Sequence, residues 1–281
     1  PLFLIMSTTL LFNAVGLDWL YRGLEKYTYI TVRSLLFKFI ALLAMFALIH
    51  QKSDYVIYGG ISIFASSASN ICNLVNVHQY IQIRPVGKYQ FWRHLKPVMI
   101  FFAMSCATTI YTNLDTVMLG FIKTDIDVGY YNAAVKIKSV LLGIVTSLGT
   151  VLLPRASYYI EHHEMEEFRR ITKKAINFVF LIAVPLTCYF ILYAKEGILF
   201  LSGNEYMPAV LPMQIIMPTI IFIGLTNIMG IQMLVPMGLE KVVLYSEIAG
   251  AIVDLILNTL LIPRLVSVGA AIGTLVAECV V

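Results

Sequence analysis

The sequence predicts an all-α protein, a polytopic bundle of transmembrane helices. Hydrophobic residues make up 59% of its 281 positions and charged residues only 13%, whereas an ordinary soluble domain is about one quarter charged. The longest of several runs without Asp, Glu, Lys or Arg covers residues 206–239, and about 20 apolar residues are enough to cross a bilayer as a helix. These observations exclude an ordinary soluble domain.

Similar apolar runs recur along the whole chain and are joined by short charged connectors. Judged by span length, they predict about nine helices, at residues 1–20, 29–49, 55–80, 97–122, 128–153, 174–194, 208–236, 242–262 and from 266 onward. Because the chain begins at Pro1 rather than Met and stops inside an apolar segment, we expect it to be a fragment of a longer protein.

Lysine and arginine are unevenly distributed between the two sets of connectors. One set contains the basic residues of 22–33, 84–96 and 155–174 with Lys241, whereas the other holds only Lys52, Lys123, Lys195 and Arg264. Because basic residues concentrate on the cytoplasmic side, the first set predicts the cytoplasmic face of a cell membrane. The net charge of +4 arises from these flanking residues, so it does not indicate a nucleic-acid partner.

The fourth and fifth predicted helices each carry a polar stripe at membrane depth. In the fifth helix, Asn132 and Lys136 lie on this stripe, whereas Lys138 is about 200° from Lys136, among small and apolar residues. Asp115 in the fourth helix lies about as far from the outer turn as Lys136 does. We therefore predict an ion pair between Asp115 and Lys136, with Lys136 facing a cavity.

The second and eighth predicted helices also carry charged residues at membrane depth. Lys38 lies about nine residues into the second helix, roughly 14 Å and near the midplane, whereas Arg33 points elsewhere. Glu247 and Asp254 share one polar face of the eighth helix. Ionisable groups in spans usually face a cavity or a partner, so polar faces on four helices predict a water-filled central cavity. A structural ion pair between helices is the alternative for each charge.

The seventh predicted helix is interrupted, and the last has a small-residue face. Four prolines predict a broken helix that lines a cavity and supplies a hinge, with simple packing kinks as the alternative: Pro208, Pro212, Pro218 and Pro236. Gly269 and Gly273 predict close helix packing. No Ser-His-Asp arrangement, phosphate-binding loop or metal-ligand spacing is visible in the sequence. The sequence therefore predicts neither an enzyme nor a cofactor or metal.

Three segments, taken in order, carry a family resemblance. They are residues 16–27 (GLDWLYRGLEKY) followed by 30–34 (ITVRS) with Lys38; residues 113–120 (NLDTVMLG) followed by 128–132 (VGYYN); and residues 257–258 (LN) with 261–263 (LIP), followed by 269–274 (GAAIGT) and Glu278. These resemble the fourth-to-fifth, seventh-to-eighth and eleventh-to-twelfth helix connections of Wzx-type oligosaccharide flippases, members of the multidrug/oligosaccharidyl-lipid/polysaccharide exporter superfamily. The similarity covers nearly the whole chain, which carries Asp254 where such proteins often carry Asn.

The resemblance implies two pseudo-symmetric six-helix lobes around a central cavity. Residues 1–96 would supply the last helices of the first lobe and a basic cytoplasmic connector, and residues 97–281 a truncated second lobe. It also implies flipping of an undecaprenyl-pyrophosphate-linked oligosaccharide to the outer leaflet, with membrane lipids and glycan polymerase or ligase proteins as partners. On that basis we expect substrate contacts from Lys38, Lys136, Asp115, Asn132 and Arg33, and cation or proton coupling at Glu247 and Asp254.

Two other functions remain open from the sequence. A cation-coupled multidrug exporter of the same superfamily would need an acidic cavity, for which Asp18, Asp115, Glu247 and Asp254 are available. A membrane enzyme that polymerises or ligates lipid-linked glycans would need a sizeable outer loop with acid and base groups, and none occurs between the predicted spans. The sign of the potential in the cavity distinguishes a flippase from an exporter.

Overall fold

The computed structural model describes residues 2–51, 54–81, 87 and 90–281, with side chains except at 2–6, 14, 15 and 111. This part of the chain is helical and contains no strand, which confirms the predicted all-α class. Its contacts divide the chain into two units, Pro1–Tyr89 and Gln90–Val281. The predicted lobe boundary at residues 96 and 97 stays a prediction.

The first unit contains α1 (Leu2–Val15), α2 (Asp18–Gly23), α3 (Tyr27–Leu48) and α4 (Tyr55–Asn76), with α4 packed against both α1 and α3. The predicted helix at 1–20 is broken between α1 and α2, where Leu17 has the left-handed φ of 50°, unusual for a residue other than glycine. A Cβ added at the preceding Gly16 would lie 2.6 Å from the Asn70 side chain. The chain therefore turns where it touches α4.

The second unit contains α5 (Phe91–Ile122), α6 (Asp125–Glu161), α7 (Met165–Leu192), α8 (Ala194–Ser202), α9 (Val210–Ile216), α10 (Thr219–Thr226), α11 (Glu240–Leu265) and α12 (Ser267–Val280). A 3₁₀ turn, Asn204–Ala209, precedes α9, and a π-helix, Asn227–Leu234, follows α10. The helices α5, α6 and α7 all extend past the predicted spans. Span length registers only the apolar part of a helix, so it misses charged extensions.

Five helices in the described part of the chain are long and apolar enough to cross a membrane: α3, α5, α6, α7 and α11. A sixth span results if Asn204–Ile216 and Thr219–Leu234 count as one bent helix. The remaining predicted spans coincide with α1 and α12, of 14 residues each, and with α4, which contains buried Ser and Asn residues. The chain is a multi-pass membrane protein, and the described part contains five or six helices of spanning length and hydropathy, fewer than the nine predicted.

The bend in the sixth span confirms the broken helix that the prolines predict. The helix axis changes direction by 46° between its two halves, at Met217 and Pro218. Proline has no backbone N–H and cannot donate the helical hydrogen bond there. This span, residues 204–234, is called the bent segment, and it packs against α6 and α7. A Cβ added at Gly224 would lie 2.8 Å from the side chains of both Val145 and Val179, so glycine permits this close approach.

Candidate substrate and coupling site

Four side chains from four helices form a buried polar cluster in the second unit: Asp115, Tyr131, Asn258 and Thr274. The Tyr131 hydroxyl donates to Oδ2 of Asp115 at 2.5 Å, and the Thr274 hydroxyl lies 2.6 Å from the same oxygen. Nδ2 of Asn258 donates to Oδ1 at 2.5 Å. Neutral donors thus surround the carboxylate of Asp115. Hydrogen bonds to a carboxylate are stronger than hydrogen bonds between two neutral groups.

Helix starts and small residues bring this cluster together. A capping box between Thr124 and Asp127 starts α6 after a short turn, which sets α6 antiparallel to α5. Gly269 and Gly273 let α12 approach α11, because a Cβ at Gly269 would lie 2.6 Å from the Leu261 backbone and one at Gly273 would overlap the Asn258 side chain. The predicted small-residue packing face is confirmed.

A second group, the charged layer, consists of Lys138, Asp254 and Glu278. Each member lies one or two turns away from a member of the buried polar cluster on the same helix: Lys138 follows Tyr131, Glu278 follows Thr274, and Asp254 precedes Asn258. Lys138 interacts electrostatically with Glu278, Asp115 and Asp254. Asp254 is fully buried, and neither of its carboxylate oxygens has a hydrogen-bond partner in the described part of the chain. An isolated buried charge is costly, so Asp254 needs Lys138, a cation or a proton.

Glu247 extends this polar column along α11. Its Oε2 accepts a 3.0 Å hydrogen bond from the Thr108 hydroxyl on α5, and Asp254 lies two turns further along α11. The predicted stripe of α11 is therefore real, with Asp254 and Asn258 buried and Glu247 half-buried. In the described part of the chain, no group of three or more His, Cys, Asp or Glu residues could hold a metal ion.

The predicted ion pair between Asp115 and Lys136 is wrong. Asp115 is buried among neutral donors, whereas Lys136 is exposed, and no ion pair joins them in the described ranges. Lys136 lies about 140° around α6 from Tyr131, and Lys138 only about 20°. Similar distance from the outer turn is not enough to pair Asp115 with Lys136, because the rotation about the α6 axis decides which lysine faces the acidic residues. Lys138 rather than Lys136 therefore occupies the acidic side.

Lys136 belongs instead to an exposed polar surface, the α5–α6 polar face. Its members are Thr112, Asn113, Thr116, Asn132, Lys136 and Ser139. Asn132 joins the two helices by accepting a 3.3 Å hydrogen bond from the Thr116 hydroxyl. The second unit leaves this face uncovered, and polar groups at membrane depth are expensive against lipid. The face therefore calls for water or a polar ligand.

In the first unit, Arg33 is held by the chain itself. Its Nη2 lies 3.0 Å from Oδ1 of Asp18, its guanidinium stacks over Tyr29, and Asn73 donates to the same Asp18 oxygen at 2.6 Å. Arg33 is buried, so the predicted substrate contact would require this pair to open. Lys38 is exposed on α3 and forms no ion pair with any described residue.

Part of the predicted basic connector at 84–96 lies outside the described residues, including Arg84 and Lys88, as does Lys52.

The bent segment adds two polar side chains that face α6. A Cβ added at Gly149 would lie 2.5 Å from Oδ1 of Asn227 and 2.6 Å from Nε2 of Gln232. The side-chain amides of Asn227 and Gln232 in the π-helix thus pack directly against the backbone of α6 at Gly149.

Sequence reasoning missed Tyr131, Thr274 and Asn73 as members of polar networks. Tyr131 and Thr274 stand inside the VGYYN and GAAIGT motifs, so the motifs pointed to them without indicating a role. Asn73 carried no signal beyond its polarity in an apolar run. The sequence places Lys138 on an apolar face because its neighbours on α6 are small or apolar, yet in the structure Lys138 interacts electrostatically with Glu278, Asp115 and Asp254 of other helices.

Several apolar spans around a column of buried polar residues define the molecule as a multi-pass helical membrane protein with a polar interior. A family model described as Polysaccharide biosynthesis protein matches residues 1–160, and the MatE family model matches residues 101–260. Each match covers more than half of the chain, so the chain belongs to the polysaccharide biosynthesis protein family. The resemblance to Wzx-type flippases and the predicted location in the inner membrane are confirmed.

Two curated relatives are each named "Putative O-antigen transporter". The protein of Escherichia coli (strain K12) is 28% identical over 271 residues, which cover 96% of this chain and 65% of the relative. The protein of Shigella dysenteriae is 26% identical over 257 residues, covering 90% of this chain and 64% of the relative. The chain therefore spans just under two thirds of these relatives. No solved structure matches it significantly.

Proposed function

We propose that this chain is part of a flippase that moves an undecaprenyl-pyrophosphate-linked oligosaccharide from the cytoplasmic to the outer leaflet. The observation that carries the proposal is membership of the polysaccharide biosynthesis protein family, together with relatives named for O-antigen transport. Those relatives are named as transporters rather than enzymes, which favours transport without catalysis. The substrate is then a glycan whose lipid end is anionic.

Lys38 and Lys136 are the proposed cationic contacts for the pyrophosphate. Each is exposed on its own unit and forms no ion pair with a described residue, so each is available to an anionic ligand. Lys136 sits on the α5–α6 polar face, where Asn132 and the hydroxyls can accept or donate hydrogen bonds to sugar. Ammonium groups bind phosphate as point charges, which suits a ligand that must later be released.

Asp254 is the proposed coupling residue. It is fully buried, lacks a hydrogen-bond partner in the described chain, and lies among Asp115, Glu278 and Lys138. Two neighbouring carboxylates cannot both remain charged cheaply in such surroundings, so uptake or loss of a proton or cation changes the packing of α5, α6, α11 and α12 together. Glu247 lies nearer the start of α11, where it would extend the path of the proton or cation to Asp254.

The bent segment is the proposed hinge for alternating access. Its 46° bend and π-helix place irregular backbone against α6 and α7, and irregular backbone inside a membrane is tolerated where protein or a cavity surrounds it. Broken helices of this kind absorb the rocking of transporter repeats. Gly149 lets Asn227 and Gln232 of this hinge lie directly against the backbone of α6.

The proposal is tested by glycan export in cells that lack their own O-antigen transporter. The full-length protein should restore surface glycan, and Lys38→Ala and Lys136→Ala should each reduce it at equal protein levels. Lys38→Arg and Lys136→Arg should retain most export, because charge matters more than shape here. Lys195→Ala, which removes an exposed lysine of α8, is the matched control. Unchanged export by both alanine variants would contradict the electrostatic account.

A multidrug exporter remains the second candidate, because the MatE match covers residues 101–260 and the buried acids of the second unit fall within it or close to it. This function predicts that cells producing the protein expel a cationic dye and that Asp254→Asn abolishes the efflux. The flippase function predicts surface glycan without dye efflux. We also propose glycan polymerase or ligase proteins as membrane neighbours, to be detected by crosslinking and co-purification with the full-length protein.

A further inference from the structure

A cavity of about 240 Å³ opens between α7 and the π-helix of the bent segment. Its walls include Phe168, Arg169, Lys173, Ile176 and Met233. None of these residues belongs to the buried polar cluster, the charged layer or the α5–α6 polar face. The cavity is therefore separate from the proposed substrate and coupling residues.

The polar side of this cavity is positively charged. Lys173 is exposed and forms no ion pair with any residue in the described part of the chain. Arg169 is also exposed, and its only ion-pair partner among the described residues is the exposed Glu166, at a long 3.6 Å between Nη1 and Oε1. No acidic residue lines the cavity. Two cationic side chains therefore face it with little compensation.

The other side of the cavity is apolar and continues into the membrane. Phe168 is buried, and Ile176 and Met233 are half-buried at the cavity wall. Further along α7, the exposed side chains of Phe180 and Val184 lie on roughly the same helix face. A molecule with an anionic head and an apolar tail would match this order of side chains.

The depth of the cavity fits the same kind of molecule. The stretch of α7 that follows Lys174 contains no charged residue until Lys195, and its 18 helical residues to Leu192 would span about 27 Å. Lys173 thus lies where α7 enters the apolar layer, at headgroup level. Basic pockets between membrane helices at this level are suited to anionic lipid headgroups.

We propose that this cavity binds an anionic phospholipid of the adjoining leaflet, with its phosphate between Arg169 and Lys173 and one acyl chain along Phe180 and Val184. Met233 belongs to the π-helical half of the bent segment, so the bound lipid contacts both α7 and that segment. The lipid therefore stabilises one position of the bent segment relative to α7. Phosphatidylglycerol is a suitable probe because its headgroup is anionic and small.

The test compares the thermal stability of the purified full-length protein in nanodiscs of phosphatidylcholine and of phosphatidylcholine with increasing phosphatidylglycerol. The wild type should gain stability with phosphatidylglycerol, and the Arg169→Gln/Lys173→Gln variant should need about 30-fold more of it for the same gain. Arg170→Gln/Lys174→Gln removes the same charge from residues of α7 that do not line the cavity, and it should respond like the wild type.

Each outcome decides for or against the site. If the Arg169/Lys173 variant responds to phosphatidylglycerol like the wild type, the site is wrong; if both double variants lose the response equally, only general surface charge is involved, which also overturns it. Because each variant is compared with itself in phosphatidylcholine, a general loss of stability does not affect the result. Inorganic phosphate added to phosphatidylcholine nanodiscs is the second arm, and full stabilisation by phosphate alone would overturn a lipid ligand.

Discussion

The phenolic oxygen of Tyr131 lies 2.5 Å from Oδ2 of Asp115, and both side chains are almost completely buried in the second unit. The two residues face each other across the α5–α6 hairpin. Thr274 from α12 reaches the same carboxylate oxygen, so one carboxylate joins helices that are far apart in the sequence. The stability of the second unit should depend on this contact.

Tyr131→Phe should lower the free energy of unfolding by about 2 kcal/mol, because it removes a hydrogen bond to a buried carboxylate while keeping the ring. Chemical unfolding in detergent measures this change. Tyr130→Phe is the matched control, since Tyr130 makes an edge contact with the Tyr206 ring and its hydroxyl has no described hydrogen bond. Equal stability of the two variants would contradict the role of the Tyr131 hydroxyl.

Lys138→Met should destabilise the protein by up to about 3 kcal/mol, because it removes the positive charge that interacts electrostatically with the buried Asp254 and Glu278. Adding Asp254→Asn to this variant should recover part of the loss, as expected when two residues interact. Lys136→Met, on the exposed face of the same helix, should change stability by less than about 0.5 kcal/mol. If the Asp254→Asn effect is the same with and without Lys138, the two residues are independent.

Gly273→Ala should destabilise the α11–α12 contact by about 1–3 kcal/mol, because the added methyl overlaps the Asn258 side chain and lies 3.1 Å from Oδ1 of Asp254. Gly143→Ala provides the control, since a Cβ there meets nothing within 4 Å and alanine favours a helix. Thermal unfolding of both variants in one detergent gives the comparison. A Gly273→Ala variant as stable as the control would contradict the close packing.

Asp18→Asn should destabilise the first unit by about 2–3 kcal/mol, because it removes the anion beside the buried Arg33 guanidinium. Nε and Nη1 of Arg33 have no hydrogen-bond partner in the described part of the chain, and the Tyr29 ring stacked on the guanidinium carries no net charge to replace that of Asp18. The double variant Asp18→Asn/Arg33→Met should be more stable than Asp18→Asn alone. Arg22→Gln, at an exposed position of α2, should have little effect on unfolding in detergent.

The predicted membrane orientation can be checked by labelling single cysteines in a background without the four native ones. Arg170→Cys lies in the predicted cytoplasmic stretch 155–174, and Lys195→Cys lies on the opposite side; both positions are exposed. An impermeant thiol reagent added outside intact cells should label position 195 and leave position 170 unmodified. The reverse pattern would invert the topology.

Several features of this fold could be predicted from the sequence because local chemistry determines them. Apolar runs locate the helices, prolines locate the bend at Pro218, and Gly269 with Gly273 mark a close helix contact. The ends of α5, α6 and α7 could not be predicted from hydropathy, because a helix continues into water for as long as its side chains permit. The break at Gly16 and Leu17 depends on contact with Asn70, which is distant in sequence.

The sequence by itself determined that the chain crosses a membrane in several helices and that charged residues lie at membrane depth. Tertiary structure alone decided which of those charges meet. Lys136 and Lys138 are only two residues apart, yet the helical rotation between them leaves one exposed on the α5–α6 polar face and sets the other beside Asp254 and Glu278. The physical reason is that burying a charge is costly unless another helix brings a partner, and partners on other helices are invisible in a linear pattern.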